Sequence, residues 1–437
     1  MPDVPIQYFY FLPLELWAEI LSYLQDEDHL QTQSAMEPLT LIKPFRPLAL
    51  KYSFGKLRSW YSGTLPDRTK GDCIWNDRYH RDLDAFIAHA KDFVRLQANG
   101  QYNSFVRVLE LGYDRAVPKA CVSMTAKSKH SAQVKRILKI YVDLIPKFRS
   151  LQSVRLHKVD IYIGFLGALQ SELPVLKELK LEQLVISLRK NTSASLYNLR
   201  LTLKSIVLDD TWCTGTELPL FFDINSLEIL DFKYTVEEQF VKLLDGIGTC
   251  PRLKSLRVRG LNTSNKLQSF TSLLSRNQTL ERLLIPEQDK TIRVSRELLS
   301  PDALPNLKCY HGSPQFLDLV ARGRPLTSLL VPVKEICDIL GRSINFIEHT
   351  VFPLLLDKVN MANLTTLALS KIPLYVAKLV LSRAGRDGLM PNLKDIRLYA
   401  KPVAWSEPEA YDHLLPPELE YDVCYSIPFS PLTAFSL

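Results

Sequence analysis

The chain has 437 residues, 46% of them hydrophobic and 23% charged, which are ordinary proportions for a globular protein. Its net charge of +7 is uneven: residues 1–65 hold five basic and seven acidic side chains, so the excess lies downstream. No stretch approaches the ~18 uninterrupted apolar residues of a membrane span, and the seven cysteines are far apart, odd in number and without a C-x-x-C pair, so a membrane helix, a disulfide framework and a zinc site are all excluded as expectations.

Widely spaced thiols point to a reducing compartment, cytoplasmic and/or nuclear. The first residues lack a basic region before their apolar ones, so a secretory signal is not expected. The first predicted element is the segment Leu12 to Leu24, LPLELWAEILSYL. Pro13 suits a first helical position, where an N–H would have no intrahelical acceptor. Glu15 and Glu19 meet the positive end of the helix dipole. Leu16, Trp17, Ile20, Leu21 and Leu24 then form one apolar face at helical period. His29 to Met36 can form a second helix, and Ala49 to Trp60 closes the region.

These residues resemble an F-box, closely over the first 60 or so positions, and the closing segment is similar to that of fungal F-box proteins with leucine-rich repeats. Pro38, Pro44 and Pro47 depart from the family pattern where a regular third helix would stand. The resemblance implies that Leu12, Pro13, Leu16, Ile20, Leu21 and Leu24 contact a Skp-type adaptor, and through it a cullin complex.

Downstream, a leucine pattern takes over. Val106-Leu109-Leu111 fits L-x-x-L-x-L, and so do triplets starting at Leu151, Leu176, Leu203, Leu227, Leu253, Leu280, Leu326, Leu364 and Leu393, with Leu307-Tyr310 a weaker member. From Leu151 to Leu307 the anchors step by 24 to 27 residues, the period of leucine-rich repeats; later steps are 19, 38 and 29. The L-x-L ending alternates as a strand with one buried face does. Helical patterns lie between, at Phe165–Leu173, Glu237–Gly246, Leu267–Ser275, Phe316–Ala321, Val333–Leu340 and Val376–Ala384. Pro174, Pro251, Pro305 and Pro391 stand two residues before an anchor, where proline stops a helix. The asparagine usual after the last leucine is missing, with Val159, Leu184, Thr211, Thr235, Leu261 and Ile372 in its place.

Residues 115–142 interrupt the array with seven basic and no acidic side chains; 116–131 reads as a loop and 133–145 as an amphipathic helix. No aromatic platform accompanies these charges, so nucleic acid is not the expected partner. Residues 401–437 carry six acidic side chains against Lys401 and many aromatics, which suits a cap.

The expected fold class is α/β: an irregular leucine-rich repeat solenoid, parallel strands on its concave face and helices on its convex face, preceded by a small all-α F-box-like domain. The expected domains are 1–62 for that helical domain, 63–104 for a linker and N-terminal cap, 105–400 for the solenoid and 401–437 for a C-terminal cap.

Searching for chemistry yields little. The chain holds no G-x-S-x-G, H-E-x-x-H or phosphate-loop motif. Gly246-Ile247-Gly248 reads as a helix end, with Pro251 following. No catalytic, metal or cofactor residue is assigned. Binding is the more credible task. Strand residues between the leucines point away from the core and form one column: Arg155, Lys180, Val207, Asp231, Arg257, Leu284 and Arg397. The next column holds His157, Glu182, Asp209, Lys233 and Arg259. The expected target-binding set is Arg155, His157, Lys180, Glu182, Asp231, Lys233, Arg257, Arg259 and Arg397, facing an unknown protein substrate. With the F-box resemblance, the expected role is substrate receptor of an SCF-type ubiquitin ligase. The alternative is a leucine-rich repeat interaction scaffold unrelated to ubiquitin.

Overall fold

Alternating leucines that recur every 24 to 27 residues suit a parallel sheet, because a parallel strand pair needs a connection long enough to return the chain to its starting edge. A computed structural model of the chain describes residues 16, 55–62, 79–80, 83–98, 103–114, 124–187, 199–213, 221–234, 236–286, 294, 298–300, 302–313, 316–320, 324–332, 363–370, 391–400 and 423–428. They show an α/β protein with a large parallel sheet. The chain divides into two units, Met1–Leu203 with Thr211–Phe221, and Lys204–Asp210 with Phe222–Leu437.

Unit 1 begins with strands β1 (Lys56–Ser62) and β2 (Tyr79–His80) and helix α1 (Leu83–Ala98). Strand β3 (Val108–Asp114) and helix α2 (Met124–Leu144) follow, then β4 (Ser153–His157), β5 (Ile161–Tyr162), α3 (Ile163–Glu172), β6 (Glu178–Glu182) and β7 (Val185–Ser187). After β8 (Ser205–Asp209), which belongs to unit 2, the chain returns to unit 1 for β9 (Trp212–Cys213). The main strands run β2-β1-β3-β4-β6, all parallel. Leu109 pairs with Val154 and Val154 with Leu179; Leu111, Leu156 and Leu181 form the next row. All six are at most 2% exposed. Full burial of each such side chain is worth about 1.5–3 kcal/mol, so the in-register leucine rows are a main source of stability. β5, β7 and β9 make a small second parallel sheet.

Two segments of unit 1 differ from the sequence expectation. Residues 56–62, read as the end of an all-α domain, form a strand that pairs parallel with β3 over its whole length. Among its described side chains the buried one is Ser59, at 4% exposure, so no buried leucine announces the strand. Residues 124–131, read as loop, begin helix α2. The apolar residues that anchor this helix come later: Val134, Ile137, Leu138, Tyr141 and Val142 are all buried, as is Ile145 just beyond it. Tyr141 stacks on Phe86 and meets Phe93 edge-on, both of α1, at centroid distances of 5.7 and 4.7 Å.

Unit 2 holds β8, β10 (Ile229–Lys233), α4 (Glu237–Ile247), β11 (Ser255–Arg259), α5 (Ser264–Arg276), β12 (Arg282–Ile285) and β13 (Cys309–Gly312). It continues with α6 (Leu317–Val320), β14 (Ser328–Pro332), β15 (Thr366–Ser370), β16 (Asp395–Ala400) and β17 (Val423–Pro428). Strands β8 and β10 to β16 are parallel neighbours in chain order. β17, within the segment expected to cap, pairs antiparallel with β16. One core row runs Ile206, Leu230, Leu256, Leu283, Tyr310, Leu329 and Leu367, with Ile396 next in register. Helices cover this row's face: Phe240, Leu243, Leu244 and Ile247 of α4 are buried, and Phe240 lies 5.2 Å from Phe232. Gly248 follows α4 at φ 65°, ending the helix as its sequence suggests. The helical patterns at 333–340 and 376–384 lie outside the described residues.

A backbone feature repeats in both units. After most anchors the two following N–H groups donate to one carbonyl of the preceding repeat. Gln152 and Ser153 donate to Arg107 O, and Lys177 and Glu178 to Gln152 O. In unit 2 the accepting carbonyls are Lys204, Glu228, Lys254, Glu281, Lys308, Thr327 and Thr365. Side chains supply what the missing asparagines would have. Thr211, fully buried, donates its hydroxyl to Leu181 O at 2.8 Å. Asn277, 1% exposed, accepts from Cys250 N at 2.7 Å and donates to Leu273 O at 2.7 Å. Two residues after the last core residue of a strand, the chain turns left-handed, at Lys158 (φ 56°), Gln183 (φ 51°), Asp210 (φ 43°) and Gly260 (φ 83°). Only the last is glycine, so the other three carry a cost of about 1 kcal/mol each.

Candidate functional site

A strand's pleat sends residues next to the leucines to the face opposite the core. In both units this open face carries the residues expected to bind a target, and their strands bring them into register. In unit 1, Arg155 pairs with Lys180 and His157 with Glu182. Arg155 donates to Glu182 Oε2 through Nε at 3.1 Å and a terminal nitrogen at 2.9 Å. His157 Nδ1 lies 3.3 Å from the same oxygen. Lys180 makes no ion pair among the described residues. Nearby, Lys56 and Glu110 of β1 and β3 pair at 3.1 Å.

Burial pushes the Glu182 carboxyl upward, but the hydrogen bonds from His157 and Arg155 outweigh it and hold the group below its ordinary value of 4.5. A folded-state value below the unfolded one stabilises the ionised protein. That stability is present above pH 4.5 and is expected to vanish as pH falls through the folded-state value. Glu182→Gln is therefore expected to lower the wild-type melting temperature at neutral pH and to converge with it in acid. Thermal melts of both proteins across the acid range check this; parallel curves at every pH would refute it.

In unit 2 the columns run Val207, Asp231, Arg257, Leu284, and Asp209, Lys233, Arg259. Arg259 joins two strands at once, lying 3.1 Å from Asp209 and 3.3 Å from Asp231. Lys233 lies 3.6 and 3.7 Å from Asp209 and Asp210. Arg257 is 3.8 Å from Asp231, with 45% of its side chain exposed. Burial raises the Asp231 carboxyl and prevails over the pull of Arg259 and Arg257. Arg397 occupies β16 in register with Ala368. Sequence reading left His311 and Leu330 out of the column. They continue it across β13 and β14, because Leu284 pairs with His311 and His311 with Leu330. The strand of His311 was marked only by the weak Leu307-Tyr310 pattern, with Gly312 where a third leucine would stand, whereas Leu330 lies between the leucine and valine of the full Leu326-Leu329-Val331 match. Asp209 and Asp210 were likewise absent from the expected set, although both hold the basic residues in place.

Of the N-terminal set, Leu12, Pro13, Ile20, Leu21 and Leu24 lie outside the described residues. Leu16 is helical and 44% exposed. Among the described residues, no helix is long and apolar enough to cross a membrane, and no group of histidine, cysteine and acidic residues has metal-site geometry.

The open faces are therefore pre-ordered arrays of charge. Groups already held by their neighbours lose little rotamer freedom when a partner arrives, which favours specific over adaptable recognition. Comparison with protein-family models finds no match, and comparison with curated proteins finds none.

Proposed function

We propose that this chain is the substrate-recognition subunit of an SCF-type cullin–RING ubiquitin ligase, built as an irregular leucine-rich repeat solenoid behind an F-box-like segment. The observation that carries the reading is the conjunction of two surfaces. One is the in-register open face with partly exposed Arg155, Lys180, Asp231, Lys233, Arg257 and Arg259, suited to holding a protein target. The other is the segment Leu12–Leu24, whose resemblance to an F-box is supported by an exposed, helical Leu16. In this role Leu12, Pro13, Leu16, Ile20, Leu21 and Leu24 engage a Skp-type adaptor. No residue of the chain performs bond chemistry. The complex works by proximity: one end holds the ligase, the other the target, and ubiquitin transfer becomes effectively intramolecular.

A second reading is an interaction scaffold without any link to ubiquitin. It is favoured by the pairing of β1 with β3, which places the end of the box-like segment in the sheet. Co-purification with a Skp-type adaptor separates the two. Wild type is expected to bind, and Leu12→Ala/Pro13→Ala is expected to weaken binding at least about ten-fold, the loss of roughly 1.4 kcal/mol. Circular dichroism of the double variant checks that the repeats remain folded. A wild type that does not bind leaves the scaffold.

A further inference from the structure

Across unit 2 the open face changes character from ionic to apolar, and the change occurs at β11 and β12. On the ionic side Arg259 lies between Asp209 and Asp231, and Lys233 lies beside Asp209 and Asp210. Two further cations stand at the boundary. Among the described residues, Arg257 forms an ion pair with Asp231, which Arg259 already engages more closely. Arg282 is exposed and makes no ion pair among the described residues. Setting Lys233 against Asp210, the arginines Arg257, Arg259 and Arg282 face the carboxylates Asp209 and Asp231, and one positive charge is left over.

Beyond the boundary, the row that starts at Arg257 continues through Leu284, His311 and Leu330, all half-buried. Arg282 lies on the same face, two residues before Leu284. Strands are ~4.8 Å apart, so Leu330 lies ~14 Å from Arg257 along the row. An extended peptide rises ~3.3 Å per residue with alternate side chains on one side, so residues i, i+2 and i+4 cover ~13 Å, close to that span. Burial, together with the positive Arg257, lowers the His311 imidazole below its ordinary value, so it is a neutral hydrogen-bonding group in the middle of the row.

We propose that this face of unit 2 binds an extended segment of a partner protein with the pattern carboxylate-x-apolar-x-apolar. The carboxylate of Asp or Glu lies between Arg257 and Arg282, and the apolar side chains lie over Leu284 and Leu330. The proposal rests on the reading of the open face as the target-holding surface. A single carboxylate matches the single uncompensated charge; a phosphate dianion would meet Asp231 as well. Buried apolar contact adds affinity, and the arginine pair sets register and orientation.

The test is fluorescence anisotropy with the full chain and a labelled synthetic peptide built on Glu-Ser-Leu-Ser-Leu. Comparison peptides replace Glu by Lys, both Leu by Ser, or Glu by phosphoserine. The Glu peptide is expected to bind most tightly. Arg257→Gln/Arg282→Gln is expected to weaken it about ten-fold or more, while Lys204→Gln/Lys254→Gln, on exposed lysines that pair with Glu228, changes it less than about two-fold. Matching thermal melts exclude misfolding as the cause. Equal binding of the Ser-for-Leu peptide, equal loss in both double variants, preference for phosphoserine, or no binding of any peptide would each overturn the proposal. Adaptor co-purification reads the N-terminal segment and not this face, so failure of either test leaves the other result standing.

Discussion

Gly312→Ala is expected to destabilise unit 2 by about 3 kcal/mol, the upper end of the usual cost of overpacking. Gly312 is buried at the end of β13, in register with Ile285. A Cβ added there would lie 2.2 Å from Ile285 O, 2.8 Å from Ile285 C and 3.0 Å from the Tyr310 hydroxyl. Side chains can swing away from such a contact, but Ile285 presents backbone. That carbonyl also accepts from Ser313 N at 3.1 Å, and Tyr310 donates to Ser313 O at 2.6 Å, so moving it disturbs the whole turn. The expected result in a denaturant titration is a lower midpoint with an unchanged slope. Gly167→Ala serves as the contrast. Gly167 lies within α3 and nothing stands within 4 Å of the added carbon, so this change is expected to stabilise by up to about 1 kcal/mol. Equal effects of the two substitutions would refute the argument from backbone contact.

Arg324→Ala carries the second large effect, about 4 kcal/mol. Arg324 is 2% exposed and donates to three carbonyls: Ala303 at 2.8 Å, Leu319 at 3.0 Å and Ser300 at 3.1 Å. It ties the turn before β13 to the end of α6. Burial lowers its guanidinium to about 10, which still leaves it charged at neutral pH. Hydrogen bonds from a charged donor are worth about 1.5–3 kcal/mol each, and truncation also strands their carbonyls without water. Arg324→Met keeps most of the volume and is expected to recover only a small part of the loss. Arg324→Lys recovers little, because a compact ammonium lacks the planar fork that spans three acceptors. Chemical denaturation of the three variants checks the order. If Met restored full stability, packing and not carbonyl capture would explain the residue.

Leucine spacing made the sheet legible. Each L-x-x-L-x-L match became a strand in parallel register wherever it falls among the described residues, because the pattern encodes burial directly. The open-face columns were legible for the same reason: alternation assigns the opposite face without reference to any neighbour. What the neighbours do was not legible. Arg155 and Glu182 are 27 residues apart, and Asp231 and Arg259 are 28 apart. Their pairing depends on register between repeats, which a single segment does not state. Buried basic residues were hidden more deeply. Lys266 looks like a surface lysine on a helix, yet it is 1% exposed, donates to Tyr234 O at 2.8 Å and lies 5.1 Å from the Phe240 ring centroid. Arg324 gave no signal either, since the carbonyls it satisfies lie 5 to 24 residues away, in the turn before β13 and at the end of α6. Strand β1 was missed because KLRSWYS buries a serine, and the start of α2 because MTAKSKHS has no apolar face of its own.

The doubled hydrogen bonds at most anchors have a consequence for how such a chain changes over generations. Between Leu307 and Leu326 the step is 19 residues, and between Leu326 and Leu364 it is 38. Both steps nevertheless close on the same motif, two N–H groups on Lys308 O at 2.8 and 3.0 Å and two on Thr327 O at 2.9 and 3.0 Å. The junction reads only the residues at the anchor and is blind to how much chain lies between. Doubling a loop costs only about 0.6 kcal/mol in closure entropy. Insertions and deletions on the helical side are thus nearly neutral to the lineage, while the rows of the open face keep their alignment. Such a fold lets the length of its repeats drift while selection acts on what the strands display.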